Sequence, residues 1–69
     1  MKSFSSREII RILLSAGWEE VACVGDHHHF KHPIIPGRVT VPHPKKNIPA
    51  GTTRNIFRQA GIDLKGIIK

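Results

Sequence analysis

One cysteine, no tyrosine and a small set of aromatics, three Phe and one Trp, are what this 69-residue chain has least of. The single thiol, Cys23, excludes an internal disulfide framework and a cysteine-based zinc site, and it fits a reducing cytoplasm. With so few aromatics, most of them needed for a core, little is left to stack single-stranded bases. Acidic residues are scarce as well: five Asp and Glu stand against eleven Lys and Arg, a formal charge of +6 before five His are counted. That excess predicts attraction to a polyanion, nucleic acid foremost, and says nothing by itself about fold. The longest apolar runs, Ile9-Ile10 and Ile12-Leu13-Leu14, fall far short of the roughly 20 residues of a membrane span. The polar N-terminus carries no signal-peptide core, and there is neither a repeat nor a low-complexity segment. A chain of this size buries only about 60% of its unfolded surface, so its core must be thin. A single basic domain over residues 1–69 is expected, with a core of about 3–62 and a short tail at 63–69.

What is present reads as an ordered set of elements. Ser5 and Glu8 have the spacing of a capping box, with Phe4 and Ile9 at the positions of a hydrophobic staple. Ile9, Leu13 and Ala16, flanked by Ile10 and Leu14, repeat at helical spacing up to Gly17, so a helix is expected over about 6–16. From Trp18 to Val24 the residues favour a strand, ended by a tight turn at Gly25-Asp26. A second strand from His27 to His32 follows, and after the turn-forming Pro36-Gly37 a third at Arg38–Val41. Lys45 to Gly51 is expected to lead into a second helix, whose stripe is Thr53, Ile56, Phe57 and Ala60, with Gly61 as its stop. Asp63–Lys69 could add a helical turn, weakened by Gly66. The order α-β-β-β-α predicts an α+β domain: a three-stranded antiparallel sheet with both helices on one face.

Four of the five histidines fall in one run, His27-His28-His29-Phe30-Lys31-His32. Alternate residues of a strand share a face, and Phe30 is the only large apolar side chain in the run. Phe30 should therefore face the helices together with His28 and His32, leaving His27, His29 and Lys31 on the open face. Val39 and Val41 must face the core, which sends Arg38 and Thr40 to the same open side. Such a face suits a phosphate backbone and offers groups that titrate near neutral pH. The residues alone leave three readings of the run: solvated surface, RNA contact with or without catalysis, and metal binding. Metal fits least, since no Cys and no acidic residue except Asp26 is expected nearby to close a site. Trp18, Phe30, Ile56 and Phe57 are expected in the core, and Cys23, within an apolar strand, is expected to be an inert buried thiol.

The ordered set Ser6-x-Glu8-x-Ile10, Gly17-Trp18, Gly25-x-His27-His28-x-Phe30-Lys31-His32-Pro33, Gly37 through Lys46, Ile48-Pro49-x-Gly51-Thr52 and Gln59-Ala60-Gly61-Ile62 closely resembles the HicA family of type II toxins over roughly residues 3–62. The resemblance implies a double-stranded-RNA-binding-domain-like fold, in agreement with the order read from the residues. It also implies the toxin of a toxin–antitoxin system, an mRNA endonuclease held in check by a HicB-type antitoxin. In that family a glycine followed two residues later by histidine marks the catalytic position, which here selects Gly25 and His27. The residue between them is commonly Ser in the family and is Asp26 in this chain.

The chemistry so implied needs no metal and no cofactor. RNA carries its own nucleophile, the 2′-OH, and one imidazole can take or give a proton in its transfer reaction. His27 is expected to fill that role, with Arg38 or Lys31 stabilising the developing charge. Gly25, His29, Lys31, Arg38, Lys45 and Lys46 are expected to contact RNA. The alternative reading is a non-catalytic module of the same fold that holds structured RNA by shape.

Overall fold

The computed structural model describes residues 3–62. Helix α1 spans Ser6–Ser15, strands β1, β2 and β3 span Glu19–Val24, His27–Lys31 and Val39–Pro42, and helix α2 spans Ala50–Gln59. The expected α-β-β-β-α order and the α+β, dsRBD-like architecture are what the chain adopts. The helical turn expected within Asp63–Lys69 lies outside the described residues.

α1 is fixed at both ends by local chemistry. The Glu8 amide donates to Ser5 Oγ (3.1 Å) and the Ser5 amide donates to Glu8 Oε1 (2.9 Å), closing the capping box. Phe4 and Ile9 on either side of it are buried. At the other end the Gly17 amide donates to the Leu14 carbonyl and the Trp18 amide to the Leu13 carbonyl, the paired bonds of a Schellman motif. α2 ends the same way: Gly61 N–H bonds to Arg58 and Ile62 N–H to Phe57. Its start has no side-chain cap on Pro49; instead the buried Thr53 hydroxyl donates back to the Ile48 carbonyl at 3.2 Å.

The sheet is antiparallel in the order β1-β2-β3. Phe30 lies opposite Val39, and His28 opposite Val41. Phe30, Val39 and Val41 are buried and form one core with Phe4, Ile9, Leu13, Trp18, Ile48, Ile56, Phe57 and Ala60. Trp18, Phe30, Ile56 and Phe57 are thus core residues, as their spacing predicts. Pro42 ends β3, one residue beyond the expected strand. A proline is tolerated there because β3 pairs on one side only.

Cys23 departs from expectation. It is exposed rather than buried, as are Val21 and Val24 in the same strand. β1 pairs only with β2, and the core that the helices close lies over β2 and β3. The apolar character of this stretch reflects strand-forming preference, not coverage.

Gly17 has a further constraint besides its φ of +95°. A Cβ there would stand 2.9 Å from His32 Nε2. The His32 ring is not free to yield: Nδ1 accepts the amides of Ile34 and Ile35, each at 3.0 Å. That bonding puts the proton on Nε2, which lies 3.2 Å from the Ala16 carbonyl, and the ring packs on Trp18 at 5.4 Å between centroids. Gly17→Ala is expected to cost about 1–3 kcal/mol through backbone strain and this clash. The measurement is a urea unfolding midpoint; an unchanged midpoint would mean the ring gives way freely.

Candidate active site

His27 occupies the first position of β2, opposite Val24 on one side and Pro42 on the other. The two residues between β1 and β2 are Gly25 and Asp26. Gly25 has φ +61° and Asp26 does not have positive φ, the pattern of a two-residue hairpin turn with glycine at its first central position. Among the described residues beyond its chain neighbours, nothing lies within 4 Å of a Cβ built on Gly25. Glycine is required there by conformation, and the space above it is open to an approaching molecule.

Strand alternation does not carry through this turn. Asp26 Oδ1 lies 3.4 Å from His27 Nε2, with both side chains about 61% exposed. An ion pair so exposed contributes little to stability, of order 0–1 kcal/mol. Its relevance is local charge, because it sets a carboxylate beside the exposed imidazole.

Further along β2 the open face is as expected. His29, opposite Thr40, has its Nδ1 2.9 Å from the Thr40 hydroxyl. Lys31 is exposed at the end of the strand, and Arg38 is exposed just ahead of β3, at the same end of the sheet. Lys31 lies four positions beyond His27, about 13 Å along a strand. The histidine and the two strand cations therefore share a face but stand at opposite ends of it. Lys45 and Lys46 belong to another part of the surface. They line an open groove of about 430 Å³ with Ser5, Ser6, Arg7, His43 and Pro44, at the N-terminus of α1.

The groove is tied to the His27 end of the sheet through His43, a residue that sequence reasoning did not single out as functional. The His43 amide donates to the Asp26 carbonyl at 2.8 Å. Its Nδ1 is 2.7 Å from Ser6 Oγ, and its ring meets that of His28 edge-on at 5.0 Å. Ser6 is buried, accepts the Lys45 amide at 2.9 Å and lies 3.1 Å from the Lys45 carbonyl. One buried hydroxyl thus fixes the loop that carries both lysines. The sequence signal was a serine at the first helical position ahead of a basic loop 39 residues away, which no local pattern connects.

On the helix-facing side, at the β1 edge, His28 meets two partners from the neighbouring strand. Its Nδ1 is 3.0 Å from Glu20 Oε2 and its Nε2 is 3.5 Å from Cys23 Sγ. The expectation that no Cys and no carboxylate other than Asp26 would lie near the histidine run is therefore corrected. Reading along the chain misses neighbours that strand pairing supplies across it.

Fold and site together define a small basic α+β domain of dsRBD-like architecture, with a histidine exposed at the turn end of its central strand. The model of the HicA toxin of bacterial toxin–antitoxin systems matches residues 6–62 of the 69. The chain belongs to that family and is a toxin of a toxin–antitoxin pair, with an antitoxin as its counterpart. No curated protein sequence matches it. Among the described residues, no helix is long and apolar enough to cross a membrane.

Proposed function

We propose that this chain is a cytoplasmic, metal-independent endoribonuclease that cleaves mRNA and so blocks translation, with His27 as general acid or base. The observation that carries this reading is the exposed His27 imidazole on an uncovered sheet face of a +6 chain that belongs to a toxin family. In the reaction the RNA 2′-oxygen loses its proton and forms a bond to the adjacent phosphorus, while the bond from phosphorus to the 5′-oxygen breaks and that oxygen gains a proton. One imidazole serves one of these transfers and water the other, a contribution of typically ~10²–10⁴-fold. A slow enzyme suffices when damage accumulates over many messages. The need for a 2′-OH selects RNA over DNA.

The separation along β2 supports different tasks for the cations. Lys31 and Arg38, about 13 Å of strand from His27, hold phosphates flanking the scissile one rather than the reacting group itself. His29 and the open space over Gly25 complete the contact surface. Arg7, Lys45 and Lys46 extend the cationic track past the His27 end into the groove. Each phosphate so neutralised adds affinity that falls with salt.

Expression of the full chain in a bacterium is expected to arrest growth with loss of mRNA, and His27→Ala at equal protein level is expected to be tolerated. With purified protein, cleavage should survive excess EDTA and leave a 2′,3′-cyclic phosphate or a 3′-phosphate. Equal toxicity of the two chains would remove His27 from the mechanism. Chelation-sensitive cleavage restored by zinc or magnesium would move the chemistry to a metal. RNA retained but left intact by both chains would favour the non-catalytic, shape-reading module.

Asp26 stands where the family commonly has Ser, and its carboxylate lies beside the imidazole that must receive a phosphate. Repulsion across an exposed site amounts to roughly 0.2–1 kcal/mol. Asp26→Ser is therefore expected to raise kcat/KM by about 2–5-fold, most clearly at low salt. A fall in activity would assign Asp26 a supporting role in the reaction.

The antitoxin, of HicB type, is expected to be acidic and to cover the open sheet face. The +6 charge steers an acidic partner, and burying His27 excludes substrate without any chemistry. Competition between a labelled non-cleavable RNA and the antitoxin encoded beside this gene should show mutually exclusive binding. A stable ternary complex with RNA bound normally would place inhibition elsewhere and move the substrate off this face.

A further inference from the structure

The β1–β2 hairpin carries a second chemical surface on the side away from the open face. β1 is irregular between Glu20 and Ala22: Glu20 lies opposite Phe30, whereas Ala22 lies opposite His29 and Cys23 opposite His28. On a regular strand, residues three apart point to opposite faces. The extra residue, Val21, cancels that alternation. It brings Glu20 and Cys23 to the face of Phe30 and His28. The bulge is what assembles a carboxylate, a thiol and an imidazole at one place.

Their ligand atoms all lie within 4.8 Å of one another. Cys23 Sγ and His28 Nε2 are 3.5 Å apart, close to the separation of about 3.6 Å spanned by a sulfur and a nitrogen on one tetrahedral zinc ion. The His28 ring is held in place by its edge-on contact with His43 and by Glu20 Oε2, 3.0 Å from Nδ1. A carboxylate on Nδ1 keeps the proton there and leaves the Nε2 lone pair directed towards the thiol, an arrangement that raises the basicity of a ligating imidazole. The His28 side chain is only 18% exposed, and Glu20, 41% exposed, backs it from the Nδ1 side as the outer partner of the site. Cys23 is open to solvent, so an ion has an entry path.

We infer that Glu20, Cys23 and His28 form a binding site for a borderline-soft divalent cation of the zinc class. Soft thiolate and imidazole ligands select such an ion over magnesium or calcium. Binding forms a bond between metal and Cys23 Sγ, and the thiol proton leaves to solvent. Water completes the coordination. The ion bridges β1 and β2 across their bulged edge and clamps the hairpin whose turn presents His27. It takes no part in RNA cleavage, which the open face conducts separately, and the inference does not depend on that activity.

The test uses the full-length chain, reduced and stripped of metal, titrated with Co²⁺. A 1:1 complex with a near-ultraviolet sulfur-to-cobalt charge-transfer band is expected, displaced by one equivalent of Zn²⁺. Zinc should also raise the Tm of the wild-type chain, as any ligand selective for the folded state does. Cys23→Ser, an exposed substitution, should lose the band and the Tm shift while its circular dichroism is unchanged. Glu20→Gln should weaken binding about 10-fold or more. His27→Ala should keep the band, since that residue lies on the other face. Cobalt bound without charge transfer, or bound equally by Cys23→Ser, would assign the ion to the open histidine run and overturn the inference. Failure of cobalt to bind would overturn it as well.

Discussion

Burial of Phe30 is the interaction on which the arrangement of this protein depends. β2 is the central strand, and Phe30 is its only large apolar side chain, fully buried against Val39 and both helices. Burying such a ring contributes roughly 1.5–3 kcal/mol, and a one-residue slip would place it in water and turn every neighbour over. The register of one ring therefore decides which histidines face the interior and which face the open side. His28 shares Phe30's side and is absorbed into a network with Glu20, Cys23 and His43. His27 and His29 take the other side. Four residues of one type, consecutive but for Phe30 and Lys31, thus acquire distinct chemistry from a single packing constraint.

The edges of the sheet add what the centre does not determine. β1 is bulged and exposed, and β3 ends at a proline from which the chain runs to the groove at α1. A thin core leaves both edge strands only partly covered, and it is at these partly covered rims that the polar clusters lie. Ser6 shows how much positioning one buried group can do. Its hydroxyl holds His43 and Lys45, and the His43 amide holds the Asp26 carbonyl. The basic loop, the Gly25-Asp26 turn and the first turn of α1 are joined through these few bonds.

Much of this was legible in the sequence, for reasons that can be named. The capping box and both glycine stops are short-range signals, and each appears with the bonds its spacing requires. The face assignment of His28, Phe30, Val39 and Val41 follows from alternation, which holds wherever one face is buried. What failed lay in particular contacts across strands and turns. Cys23 looked buried because apolar composition does not reveal that a strand lies at an edge. Its meeting with Glu20 depends on a bulge, and the bulge has no reliable mark in Glu20-Val21-Ala22. Asp26 approaches His27 because a hairpin turn obeys no two-residue period. The Ser6–His43 contact joins residues too distant along the chain for any local pattern to link.

The role proposed for His27 rests on where these two kinds of information meet. Its face is set by the distant packing of Phe30, whereas its exposure is set by the local conformation of Gly25. A histidine further along β2 would be flanked on both sides by paired strands, as His29 is, with its ring engaged by Thr40. One residue earlier the backbone belongs to the turn. At the first strand position the main chain is held by pairing to Val24 and Pro42, while the exposed imidazole lies beside a solvated carboxylate. Rigid backbone beneath an unencumbered side chain is what a proton-transfer group needs, since a small misplacement of reacting atoms costs more rate than the group supplies. In a domain with so little core, the end of the central strand is a place where the fold can provide both.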